Sequence, residues 1–194
     1  MALENLDKKF ARLYDIVSQN SFLAMESLGG EIPFYVSTYN PKQQIEAEKH
    51  IKALKNRLET SGIPVLEINL YHLCLDMLRG RGILDKLLEK EPGMNKERFI
   101  KSLQAPLDIE KNLIPAIAER YQAGQYKLVF LTGVGLVFPY IRSHTVLNNL
   151  QSVIKEAPTI MFFPGVYSGT SLELFGKLKD DNYYRAFSLD HYKG

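Results

Sequence analysis

Two continuous apolar runs in the last third of the chain each end at a glycine. The first covers residues 127–133 and the second covers residues 159–165. A strand with one face in water alternates apolar and polar residues, so these runs predict central strands of a parallel sheet covered by helices on both sides. Ligands of such sheets bind beyond the carboxyl ends of the strands. The residues that would form a loop pocket there are Thr132, Gly133, Gly135, Gly165 and Gly169.

The same patterns predict the remaining elements. Apolar residues at helical spacing make residues 4–20 an amphipathic opening helix, which we expect to pack on the sheet or on a partner. Further strands are predicted at 32–37, 64–69 and 183–189. Helices are predicted at 41–60 with Asn40 as N-cap, around Cys74, at 83–91, at 96–122 in two or three pieces broken by Pro106 and Pro115, and at about 170–178 after a loop from Gly165 to Gly169.

This order of elements predicts an α/β fold. We expect a three-layer sandwich with a mainly parallel sheet of about five strands, RecA-like or P-loop-NTPase-like but without a Walker A motif. Residues 1–194 fit a single domain, because a chain of this length buries roughly 70% of the surface that its unfolded form exposes.

Composition excludes several classes of protein. The single cysteine, Cys74, excludes an intrachain disulfide and lies in an apolar helical pattern, so it is interpreted as a core thiol. No apolar signal core and no apolar run of about 18 residues is present, which predicts a cytoplasmic protein without membrane contact. The net charge of +2 and the lack of long basic runs indicate that any DNA contact is weak or indirect.

Recognisable catalytic chemistry is missing from the predicted strand ends. The stretch from Ser37 to Lys42 after the first strand has no glycine to wrap a phosphate and contains Pro41, so it is not a P-loop. The pair Gly133 and Gly135 begins a dinucleotide fingerprint, but Phe138 stands at the third glycine position. No two histidines have the spacing of a helical metal site. We therefore expect no catalytic residues, no metal and no cofactor.

Two polar clusters are candidates for binding a partner or a ligand. Arg142 and His144 follow the third strand and suit a phosphate or a carboxylate, although the segment is also explained as a helix N-terminus capped by Ser143. Tyr183, Tyr184 and Arg185 have the composition of an interface, although an ordinary packed strand explains them equally well.

Several segments together resemble a known family. The motifs are LTGVGLVFPYIRSH at 131–144 with LNNLQ at 147–151, FFPGVYSG at 162–169 and DDNYYRAF at 180–187. With the opening helix and the chain length, they resemble the BrxB family of BREX phage-defence systems over nearly the whole chain.

The resemblance implies a small bacterial protein encoded with a DNA methyltransferase, a large ATPase and a PglZ-like protein of the alkaline phosphatase superfamily. It supplies no catalytic residues to carry over. The leading hypothesis is a non-catalytic adaptor that binds the PglZ-like protein and helps to assemble the methylation and restriction machinery, with the ATPase and the methyltransferase as further candidate partners. The alternatives are a degenerate nucleotide-binding regulator or weak NTPase, and a DNA-binding accessory subunit.

Overall fold

The fold combines a mixed β-sheet with helices on both of its faces. The structure, a computed structural model, describes residues 3–26, 33–179 and 186–192. The helices are α1 (Leu6–Val17), α2 (Asn20–Leu23), α3 (Gln44–Thr60), α4 (Leu70–Gly80), α5 (Leu84–Lys90), α6 (Lys96–Gln104), α7 (Ile114–Gln122) and α8 (Ser143–Leu150). The strands are β1 (Phe34–Tyr39), β2 (Val65–Asn69), β3 (Leu128–Thr132), β4 (Thr159–Tyr167), β5 (Leu172–Leu174), β6 (Leu178–Lys179) and β7 (Phe187–Ser188).

Five of the strands lie side by side in the order β2-β3-β4-β1-β7. All four pairings along this path are parallel. Two antiparallel pairings, β4 with β5 and β5 with β6, extend the sheet at the carboxyl end of β4. The α/β class is confirmed with a mixed sheet, and the finer RecA-like assignment stays a prediction.

Alternate residues of the strands build two separate cores. Tyr35, Phe130 and Phe162 pack with α1 and α3 on one face of the sheet. Val129 and Met161 pack with α4, α7 and α8 on the other face. The strands are apolar on both faces because both faces are covered by helices, as the two continuous runs predicted.

The opening helix packs on the sheet. Asn5 caps α1 by accepting a hydrogen bond from the backbone N–H of Lys8 at 3.0 Å. Phe10 stacks on His50 of α3 and on Phe162 of β4, with ring centroids 5.2 and 6.0 Å apart. The amphipathic pattern therefore identified a core helix, which is one of the two packing modes expected for it.

The main error of the sequence prediction concerns the segment after Phe163. We expected β4 to end at Gly165 and a helix to form at about 170–178, but β4 continues to Tyr167 and turns into the β5–β6 hairpin. Pro164 is the last residue of β4 that pairs with β1, and Gly165 is the first that pairs with β5. Proline and glycine thus mark the point where β4 changes partners.

Two predictions about helix ends also need correction. Ser143 is not the N-cap of α8: Arg142 holds that position, without a side-chain cap. Pro115 does not interrupt the helix, because a π-helical turn (Ile109–Leu113) continues directly into α7. Pro115 lies in the first turn of α7, where its missing N–H is tolerated. The break at Pro106 and the Asn40 cap before Pro41 are confirmed.

Candidate functional site

The carboxyl edge of the parallel strands is where the sequence predicted a loop pocket. Gly133 directly follows β3 and has a φ of 69°, a left-handed conformation that glycine adopts without strain. A side chain there would lie 2.5 Å from Oδ1 of Asn69, the atom that caps α4 by accepting from the N–H of His72. Gly133 therefore forms the tight turn that follows β3.

The other two glycines near this edge are packed against the hairpin. A Cβ on Gly135 would lie 2.8 Å from Cγ of Pro164 and 3.1 Å from Cε1 of Phe175. A Cβ on Gly165 would overlap the carbonyl oxygen of Glu173 in β5. Both glycines allow β4 and the hairpin to approach closely, so neither leaves room for a phosphate. The expected pocket around Gly135 and Gly165 is filled by the protein itself.

A small polar cleft of about 250 Å³ remains beside Gly133, between α3 and the ends of β1, β2 and β3. Thr132 donates a hydrogen bond to Glu67 at 3.3 Å, and Lys55 lies 3.6 Å from the same carboxylate. Tyr39 donates to Gln44 at 2.7 Å. Burial, together with the nearby Glu48 carboxylate, raises the pKa of the Tyr39 phenol. Thr132, Lys55 and Tyr39 thus each contact a polar partner within the cleft.

Arg142 lies in a separate hollow of about 330 Å³ between the N-terminus of α8 and the hairpin. Its side chain is exposed, and Lys177 and Lys179 line the same hollow. The floor is apolar and includes Ile141 and Leu174. An arginine over an apolar floor beside two lysines suits an anionic group, either a carboxylate or a phosphate.

Of the other predicted residues, His144 and Gly169 do not line the hollow that contains Arg142. His144 is half-buried in the first turn of α8 and is not among the residues that line the hollow. Gly169 lies in the β4–β5 turn with a φ of 91°, and its carbonyl accepts a hydrogen bond from the Tyr167 hydroxyl. Tyr183, Tyr184 and Arg185 lie outside the described residues.

Asp190, which no sequence pattern singled out, binds two residues of β1. Its carboxylate accepts hydrogen bonds from the Thr38 N–H at 2.9 Å, the Thr38 hydroxyl at 2.8 Å and the Ser37 hydroxyl at 3.0 Å. Lys9 of α1 lies 3.1 Å from the same carboxylate. Ser37 and Thr38 begin the stretch where a phosphate-binding loop would lie, and here they bind a side chain from the end of the described chain. No local sequence signal points to this contact, which spans more than 150 residues.

The hairpin was also missed, although the sequence contains a signal for it. Leu172, Glu173 and Leu174 alternate apolar and polar side chains before Gly176, which is a strand-and-turn pattern. The turn between β5 and β6 has Phe175 and Gly176 at its centre, with φ values of 57° and 64°, and Lys177 donates to the Leu174 carbonyl at 3.1 Å. Both residues thus have positive φ angles, the left-handed conformation that favours glycine and that phenylalanine rarely adopts.

The described ranges hold no group of three or more His, Cys, Asp or Glu side chains placed to bind a metal ion. Cys74 is buried, and burial raises the pKa of its thiol to about 12. It belongs to the core, as the sequence indicated. Among the helices of the described residues, none is both long enough and apolar enough to cross a bilayer.

The fold and its carboxyl edge together define a class of protein: an α/β protein whose own hairpin packs at the carboxyl ends of the parallel strands, where α/β proteins commonly bind ligands. A family model described as BREX protein BrxB matches residues 66–189. A BREX protein BrxB of Bacillus cereus (strain H3081.97) is 37% identical over 191 residues, covering 96% of this chain and 98% of that protein. A BREX protein BrxB of Escherichia coli O9:H4 (strain HS) is 30% identical over 184 residues, covering 95% and 91%.

The chain therefore belongs to the BrxB family, whose members are components of BREX phage-defence systems, as its motifs had suggested. No solved structure matches it.

Proposed function

We propose that this chain is a non-catalytic, cytoplasmic component of a BREX system that binds a PglZ-like protein and helps to assemble the methylation and restriction machinery. The ATPase and the methyltransferase of the system are further candidate partners. We also propose the finer fold assignment, a RecA-like sandwich without a phosphate-binding loop. The strand order, with β1 between β4 and β7, supports this assignment.

One observation carries the adaptor proposal: the β5–β6 hairpin packs into the carboxyl edge of the sheet. Pro164 and Phe175 lie against Gly135, and Glu173 lies against Gly165. The space around Gly135 and Gly165 is thereby taken up by contacts within the protein. A fold that commonly hosts enzymes is here better suited to presenting a surface to partners, although fold alone does not decide function.

Co-purification tests the adaptor proposal. The tagged chain is co-expressed with its genomic neighbours, and the same is done with Arg142→Ala and Arg185→Ala. We expect the PglZ-like protein to co-purify with the wild type, and one of the changes to weaken the complex. A wild-type protein that elutes alone would contradict the adaptor role. Nucleotide turnover abolished by Arg142→Ala would contradict the non-catalytic role.

The alternative, a nucleotide-binding regulator, has one supporting observation. Thr132 and Gly133 line the 250 Å³ cleft together with Lys52 and Lys55, and these lysines could meet a phosphate. Calorimetric titration with ATP and GTP separates the two functions. Heat of binding that Lys52→Ala and Lys55→Ala remove would favour the regulator, whereas no binding at millimolar nucleotide excludes it. The DNA-binding alternative requires affinity for duplex DNA that falls steeply with salt.

A further inference from the structure

The exposed apolar side chains of this protein are concentrated around the β5–β6 hairpin. Nine large apolar side chains of the described residues are exposed, and five of them lie here: Leu136, Phe138, Val166, Phe175 and Leu178. Phe138 and Leu178 line the hollow that contains Arg142. Val166 and Phe175 line a second hollow, of about 680 Å³, on the other side of the hairpin. We call the two hollows and the hairpin between them the hairpin face.

Phe175 occupies a backbone position that an aromatic residue normally avoids. Its φ of 57° lies in the left-handed region, where glycine, asparagine or aspartate is usual. One edge of the ring packs against Gly135, yet 39% of the residue stays exposed. Asparagine would suit this turn better. Packing on Gly135 accounts for part of the ring, and the exposed remainder is an apolar surface held out at the tip of a tight turn.

Charge on the hairpin face has one predominant sign. Four basic residues line the two hollows, namely Lys42, Arg142, Lys177 and Lys179. Of the described residues, Glu173 alone contributes an acidic side chain to the two hollows. Within the described ranges, Arg142 and Lys177 form no ion pair. The face therefore combines a positive rim with apolar anchors.

We infer that the hairpin face binds an acidic segment of a partner protein that carries aromatic or aliphatic anchors. Interfaces between proteins place apolar and aromatic side chains at the centre and polar groups at the rim, which matches Phe175 between the basic hollows. Opposite charge on the partner complements the rim and steers the encounter. A nucleic-acid backbone fits less well, because apolar side chains separate the basic residues that would have to follow its phosphates.

The inference rests on the proposed adaptor function, and it names the surface and the chemistry of the partner. The test measures binding of the full chain to the PglZ-like protein and to every other protein encoded by the same BREX system, by biolayer interferometry. The variants are Phe175→Asn, which keeps a residue suited to the turn, and Lys177→Glu. The matched control is Ile45→Gln, because Ile45 is 73% exposed on α3 and is not part of the hairpin face. Circular dichroism melts of each variant confirm that it is folded.

We expect Phe175→Asn to weaken binding at least ten-fold, Lys177→Glu to weaken it several-fold in a salt-dependent way, and Ile45→Gln to change it less than two-fold. If the PglZ-like protein binds all variants equally, the inference is wrong while the proposed function stands. If another protein of the system binds in its place and loses affinity in the Phe175 variant, the assigned partner is wrong while the surface stands. If none of the system's proteins binds the wild type, both are wrong. Salt-sensitive duplex DNA binding that Lys177→Glu abolishes would overturn the assignment to a protein segment.

Discussion

At the scale of single residues, Asp190 joins three parts of the chain. Its carboxylate satisfies the N–H and hydroxyl of Thr38 and the hydroxyl of Ser37, and it pairs with Lys9. Arg12 of the same helix as Lys9 donates to the backbone carbonyl of Asp190 at 2.7 Å. The side chains of Lys9 and Asp190 are only 15% and 17% exposed, so this pair is shielded from water more than an ordinary surface ion pair.

We predict that Asp190→Ala lowers the free energy of unfolding by about 2–3 kcal/mol, because the donors of Ser37 and Thr38 lose a charged acceptor. Urea unfolding of the full chain measures the change. Asp15→Ala is the control, since Asp15 is exposed on α1 and its loss should change stability by no more than about 0.5 kcal/mol. Equal stability of the two variants would show that Asp190 does not hold these parts together.

A second prediction concerns Cys74 and alkaline pH. Burial raises the pKa of this thiol from 9.0 to about 12, so the unfolded chain ionises at a lower pH than the folded chain. The stability that the neutral thiol contributes is fully present below pH 9 and is lost as the pH rises from 9 to 12. Within this window, Cys74→Ala should reduce the loss of unfolding free energy by about 1.4 kcal/mol per pH unit.

Urea unfolding at a series of pH values measures that slope. Burial also raises the pKa of Tyr35 to about 12, so the variant should retain part of the alkaline destabilisation. Identical slopes in wild type and variant would contradict the assigned shift of the Cys74 pKa. In the folded protein at pH 8, the thiol should react slowly with a thiol-specific reagent.

At the scale of elements, sequence patterns predicted what local interactions decide. The continuous runs at β3 and β4, the helical spacing of α1 and the Asn40 cap each depend on residues close in sequence, and each is confirmed. The course of β4 beyond Pro164 depends on contacts with the hairpin, which contains Glu173 and Phe175. A proline and a glycine after an apolar run usually end a strand, so local reasoning placed a loop and a helix there.

In the candidate site, too, local features could be predicted from the sequence and long-range contacts could not. The break of β3 at Gly133 could be predicted because the conformation of this glycine is local, and the role of Arg142 in binding stays a prediction. The contact of Asp190 with Thr38 joins residues 152 positions apart, and no periodicity or motif announces such a contact. Sequence alone could therefore suggest the edge of the sheet, but it could not show that the hairpin packs against Gly135 and Gly165 there.

Gly165 tests whether the hairpin is packed as tightly as the structure shows. A methyl group there would overlap the Glu173 carbonyl, so Gly165→Ala should force β4 and β5 apart and cost about 1–3 kcal/mol of unfolding free energy. Gly80→Ala is the matched control, because a methyl group added there would meet no neighbouring atom within 4 Å and alanine favours a helix. Thermal and urea unfolding compare the two. If Gly165→Ala left the unfolding free energy unchanged, β4 and β5 would not be packed as closely as described.

At the scale of the whole molecule, the two cores and the hairpin divide the surface into distinct regions. Helices α1 and α3 cover one face of the sheet, α4, α7 and α8 cover the other, and the hairpin occupies the carboxyl edge between them. An adaptor that uses the hairpin face should leave both helical faces unchanged when it binds. Hydrogen exchange can separate these regions, because amide protection reports local opening element by element.

We predict that adding the PglZ-like protein slows amide exchange within residues 134–142 and 166–179 and leaves α1 and α3 unchanged. The reason is that partner contact removes water from the hairpin face, while the two cores already protect the helices. Exchange followed by mass spectrometry, with Phe175→Asn at the same protein concentrations as the control, measures the effect. The variant should lose the added protection at 134–142 and 166–179 together, since residues of both segments line the hollow that contains Arg142. Protection that falls instead on α1 and α3 would place the partner on the helical face of the sheet and would remove the hairpin from the interface.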